Sequence, residues 1–301
     1  MIEPPEAPDE INHVPLVPIS EPFAKACSEI LVTFRDLADQ AWPDELPVGV
    51  FRQEADALIA LPDGDRKEAR LFLHHMVLTC GELMWLHSHE HIRALEHVIL
   101  MQPAPVWSPL ALARVPVESG ALTRYLWEPS IPLAARVVSL RMTEVRNESK
   151  AAGFWLEGAG AARASEAGVG ALLQDAGAVR MRRGGEDGYS VDVEHAPLRY
   201  KIEERTKDFL PSWAKGTYHL LSGAVHARPW LIARARTEDG WEGEAATVLT
   251  AVMAVLGSLT SDVKTWGGFF GVDVSPTLEQ MEQTRLNFIA QSVADGYISV
   301  Q

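Results

Sequence analysis

Cysteine is nearly absent from this chain, and so is any surplus of positive charge. Cys27 and Cys80 are the only two cysteines and lie far apart in apolar surroundings. That excludes a disulfide framework and reads as two small core residues in a reducing compartment. Asp and Glu outnumber Lys and Arg by 41 to 27, for a formal charge of −14. Nucleic-acid binders usually show a basic face, so a nucleic-acid partner is disfavoured. Arg180, Arg182 and Arg183 make a small local patch that reads as the solvated end of a turn. There is no phosphate loop, dinucleotide fingerprint, Cys-x-x-Cys pair or Gly-x-Ser-x-Gly elbow. No basic stretch followed by an apolar core opens the chain, and no uncharged apolar run is long enough to span a membrane. The expectation is a cytoplasmic protein with no membrane partner.

What is present belongs to a globular chain with ample core. Of its 301 residues, 47% are hydrophobic and 23% charged. Nine tryptophans predict thick packing between long helices, or a lined pocket. Residues 1–22 carry Pro4, Pro5, Pro8, Pro15, Pro18 and Pro22 among acidic residues. Such a segment runs extended, as an arm over the surface or onto a partner subunit, which suggests a homo-oligomer. Residues 23–301 read as a single helical domain.

Proline punctuation places the helices. Glu21-Pro22 starts one that runs to about Gln40, and residues 44–65 hold a short one. Arg66 to Met101 lacks proline and reads as one long helix. Further helices are predicted near 109–127, 132–164, 166–176 and 199–209. Another spans 244–266, strongly apolar and hence buried, and a last one follows Ser275-Pro276 to about Ala294. The one β-like signal is a hairpin insertion at about 178–195, around Arg183-Gly184-Gly185 and Asp187-Gly188. The fold class is all-α: a bundle of long antiparallel helices with that small insertion.

Polar residues on apolar faces mark where chemistry could sit. At about 100° per residue, His87 and His91 fall in the apolar stripe of the long helix beside Met84 and Val98, while His89 and Glu96 fall opposite. Histidines at i and i+4 can share a divalent transition metal. The alternative is two core histidines bonded to carboxylates or carbonyls. Glu118, four residues after Arg114, lies at the margin of an apolar side and Glu144 falls among the buried side of its helix, as paired charges, metal-site carboxylates or a general base. Tyr218, Ser222 and His226 share one edge of a helix that ends before Arg228-Pro229. That edge reads either as a proton-transfer site or as a packing seam with His226 capping the helix.

The segments Arg114-x-x-x-Glu118 with Tyr125-Leu126, Arg136, and Tyr218-x-x-Leu221-Ser222-x-x-Val225-His226 resemble a group of helical proteins whose histidine-ended helix is similar to the HEPN superfamily. The resemblance covers about residues 66–235. It implies a helical bundle that often dimerises, with a metal-independent ribonuclease activity centred on the residue matching His226. Active members carry an arginine four to six residues before that histidine; here Leu220, Leu221, Ser222 and Gly223 precede it. The leading expectation is a helical enzyme or small-molecule-binding protein. Its enclosed pocket would be lined by His87, His91, Glu118, Glu144, Tyr218, Ser222 and His226. The alternatives are a HEPN-like RNA-acting or toxin-type protein centred on His226, and a non-catalytic protein that dimerises through the arm.

Overall fold

A computed structural model describes residues 18–42, 49–131, 136, 180–183, 189–193, 196–198, 202–228, 236–237, 240–241 and 244–297. These are mostly helical, in eight helices: α1 (Glu21–Ala41), α2 (Val50–Ile59), α3 (Asp65–Val98), α4 (Ser108–Leu126), α5 (Ile202–Phe209), α6 (Thr217–Val225), α7 (Ala245–Phe270) and α8 (Ser275–Ala294). Ser20 caps α1 by accepting from the Phe23 N–H at 3.3 Å, with Pro22 in the first turn where no intrahelical donor is lost. Pro116 lies inside α4 rather than at its start. The buried Ser258 hydroxyl donates to the Pro116 carbonyl at 3.0 Å, tying α7 to that turn.

Four helices form the core, with α1 packed on α3, α3 on α4, α4 on α7 and α7 back on α1. Their directions follow from the contacts. Trp127 donates to the Val77 carbonyl while Thr123 meets Met84, so α3 and α4 run antiparallel. Arg35 pairs with Glu96, and Trp42 stacks near Trp85, so α1 and α3 are antiparallel too. By contrast, Ser258 meets Pro116 and Phe269 stacks on Trp127, which makes α4 and α7 parallel. Pro18 bridges to Glu244 and Trp42 meets Trp266, so α1 and α7 are parallel as well. The expected uniformly antiparallel bundle is therefore corrected to a mixed one. Hydrophobic periodicity tells which face of a helix is buried and carries no information on direction.

The parallel arrangement gathers the C-terminal ends of α1, α4 and α7, and that is where the tryptophans go. The Trp42 and Trp266 rings lie 4.8 Å apart, those of Trp85 and Trp266 4.4 Å, and those of Trp127 and Phe269 4.6 Å. Such contacts contribute about 0.5–1.5 kcal/mol each beyond area burial. Of the two expectations for the tryptophans, thick packing describes these four. The Trp127 ring crosses α3 at Gly81, where an added Cβ would lie 2.4 Å from it.

On the flank of α4, α5 and α6 run in succession, antiparallel to it. Arg205 stacks over the Tyr125 ring at 4.4 Å, Phe209 reaches Gly120, and Tyr218 reaches Glu118. Gly120 permits this approach, since a Cβ there would meet the Phe209 ring at 2.4 Å and Asp262 Oδ1 at 2.7 Å.

By length and composition α7 is apolar enough to cross a membrane, although Asp262 and Lys264 interrupt its uncharged run, and 67% of its apolar window is buried inside the protein. Backbone ladders pair Arg180–Arg183 with Tyr189–Val193, and the latter with Ala196–Leu198. Residues 184–188, where the hairpin would turn, lie outside the described residues, so the insertion is not established as a unit. The arm up to residue 17 and the helices expected at 132–164 and 166–176 also fall outside them, except Arg136.

Candidate functional site

Polar groups distant in sequence meet along the seam between α4 and α6. Arg114 and Glu118 are one turn apart on α4, and Arg114 Nε donates to Glu118 Oε1 at 2.6 Å. The Tyr218 hydroxyl, from the first turn of α6, donates to the same oxygen at 2.9 Å. At the far end of α6, Arg114 Nη1 lies 3.4 Å from His226 Nε2. Arginine can only donate, so in this contact Nε2 accepts and the ring proton resides on Nδ1. Because α6 runs antiparallel to α4, its first and last turns reach Glu118 and Arg114 respectively.

The members of this cluster differ in solvent access, which separates their roles. Tyr218 is only 4% exposed. Burial, followed by the Glu118 charge, pushes its phenol up to about 12, so it stays a proton donor at neutral pH. Arg114 and Glu118 are partly covered, with side chains 16% and 27% exposed. His226 is exposed. Ser222 is half-buried midway along α6, and its carbonyl accepts the His226 N–H at 3.1 Å.

His226 also sits beside Ala227, at 48° the one non-glycine residue with positive φ among the described residues. The Arg228 N–H bonds to the Gly223 carbonyl and the Ala227 N–H to the Ala224 carbonyl, which is a Schellman closure of α6. α7 and α8 end on Gly271 and Gly296 in the same left-handed region, where glycine has no Cβ to clash. At Ala227 the Cβ stays and strains the backbone by about 1–2 kcal/mol.

The structure thus brings Glu118, Tyr218 and His226 together, with Ser222 on the connecting turn. It does not bring His87 and His91 to them. His87 is exposed and His91 half-exposed, their rings 4.5 Å apart on the outer side of α3. Their placement in a buried stripe is corrected. The buried line of α3 runs through Leu73, Val77, Ser88, Ile92 and Leu95, displaced around the helix from both histidines. Among the described residues, no group of three or more His, Cys, Asp or Glu side chains is placed to hold a metal. Glu144 lies outside the described residues. Of the seven residues expected to line one pocket, Glu118, Tyr218, Ser222 and His226 lie along the α4–α6 seam.

Other buried polar groups escaped the sequence reading. His89 and Glu96, expected on the outer side of α3, face α1 instead. Glu96 takes the Arg35 guanidinium at 2.5 and 2.6 Å. His89 Nε2 lies 3.5 Å from Asp39 without a hydrogen bond, and burial, then Arg35 and Arg93, push the ring down to about 4. The misplacement has a physical cause: α3 packs against α1, α2 and α4, so its buried arc is wide and its polar face narrow. His74 is buried against Phe51, whose ring stacks at 4.3 Å, beside a Glu54–Arg136 ion pair. Asp262, 3% exposed in the middle of α7, is held well above the usual carboxylate range by burial. A lone carboxylate in an apolar run was the signal for it. Comparison with protein-family models, curated proteins and solved structures finds nothing that matches this chain.

Proposed function

We propose that this is a helical enzyme or small-molecule-binding protein whose working centre is the α4–α6 seam. Glu118 orients Arg114 and Tyr218, Tyr218 remains a neutral hydrogen-bond donor, and the solvent-facing His226 carries the proton or meets the ligand. The observation that supports this reading is the Arg114–Glu118–Tyr218–His226 constellation itself. Two charged groups and a phenol, joined across about a hundred residues of sequence, lead to an accessible imidazole. A merely structural ion pair does not require the histidine at its edge. The hairpin insertion near 178–195, a homo-oligomer and a cytoplasmic location remain parts of the same proposal.

The test is a thermal-shift screen of small carboxylates and phosphate monoesters on wild type and His226→Gln. A compound that raises the wild-type midpoint and not that of the variant supports the reading. If no compound separates the two proteins, the seam is structural and the reading is withdrawn. A second reading, RNA-acting chemistry centred on His226, draws support from Arg114, an arginine that reaches the histidine from a neighbouring helix rather than from its own. Incubation with bulk tRNA decides it, since equal cleavage by wild type and His226→Ala would dismiss it.

A further inference from the structure

The solvent side of α3 carries features that the α4–α6 seam does not use. His87 and His91 are one turn apart with ring centroids 4.5 Å apart. His91 Nδ1 lies 3.0 Å from the His87 carbonyl oxygen. A carbonyl only accepts, so in this contact Nδ1 carries the proton and the lone pair is on Nε2. A backbone carbonyl holding the far ring nitrogen is the usual support of a metal-ligating histidine. Leu83, one turn before His87, and Leu86, next to it in sequence, are 60% and 64% exposed, the most open large apolar side chains among the described residues.

We propose that His87 and His91 form half of a zinc site that the same pair from a second copy of this chain completes. Zinc held structurally takes four donors in a tetrahedron, and imidazole nitrogens suit it. One chain supplies two donors here, and among its described residues no third His, Cys, Asp or Glu joins them. A two-fold contact presents the same patch twice, which doubles two imidazoles to four. The same contact places Leu83 and Leu86 against their counterparts and gives these otherwise exposed side chains a cover. The occupant of this face is therefore a second copy, drawn in by metal and lined by leucine.

Equilibrium dialysis of the full chain against zinc chloride, with sedimentation equilibrium on the same samples, tests the proposal. The expected result is one zinc per two chains and a doubled mass that chelation by EDTA reverses. His87→Ala and His91→Ala should each remain single chains in zinc. Leu83→Ser with Leu86→Ser should weaken zinc-dependent pairing at least tenfold. These side chains face solvent, so thermal midpoints matching wild type will show that the variants fold. Zinc uptake unaffected by the histidine variants, one zinc per chain at single-chain mass, or a mass that ignores zinc would each overturn it.

Discussion

Replacing Tyr218 with Phe tests the buried phenol–carboxylate contact at the centre of the α4–α6 seam. The substitution removes one hydroxyl and leaves Glu118 paired with Arg114. At pH 8 the lost hydrogen bond to a charged group should cost about 1.5–3 kcal/mol. The sign of the pH dependence follows from the phenol, which moves from 10.0 to about 12 on folding. A group whose folded value is raised contributes stability that is complete below its unfolded value and is lost as pH rises towards the folded one. Wild type should therefore lose about 1.4 kcal/mol per pH unit between pH 10 and 12, or about 3 kcal/mol across the window, while Tyr218→Phe lacks this loss. Urea midpoints from pH 8 to 11.5 will show the gap between the proteins narrowing above pH 10. Phenolate absorbance adds a second check. In Glu118→Gln the phenol should fall part of the way towards its ordinary value, because burial is the larger cause and persists. Stability profiles that stay parallel through pH 11 would refute the account of the seam.

Two further variants probe strain and buried charge. Asp262→Asn should be more stable than wild type at pH 7. The folded carboxyl is raised, so wild type is at its best below the ordinary carboxylate range and declines as pH rises, by at most about 1.4 kcal/mol per unit. The advantage should vanish in urea titrations near pH 3, and a less stable variant at pH 7 would contradict this. Ala227→Gly should raise stability by roughly 1 kcal/mol by removing a Cβ from a left-handed position. A drop in its thermal midpoint would show that no strain was stored there.

Much of the helical layout was legible without coordinates. Pro22, Pro103 and Pro276 punctuate the chain as proline must, so the helices expected from Glu21-Pro22 to about 40, at 66–101 and after Ser275 match α1, α3 and α8 to within a few residues. The edge formed by Tyr218, Ser222 and His226 was equally legible, since a helix repeats nearly every four residues. Its partners were only half visible. Arg114 and Glu118 could be paired with each other from spacing, but their meeting with Tyr218 and His226 depends on α6 lying antiparallel on α4. His87 and His91 failed for the complementary reason. A helix packed on three sides shows little contrast between its faces, and a small error in phase turns a surface pair into a core pair.

Sequence by itself determined the helical character, the ends of the long helices, the acidic balance and the neighbours one turn apart, because each is a property of local backbone geometry or of composition. Tertiary structure alone decided that α1, α4 and α7 run parallel, that their ends gather the tryptophans, that Asp262 is buried, and that an arginine from one helix meets a histidine from another. Those facts depend on how helices are oriented against each other, and that is settled by the fit of whole surfaces rather than by the order of residues along any one of them.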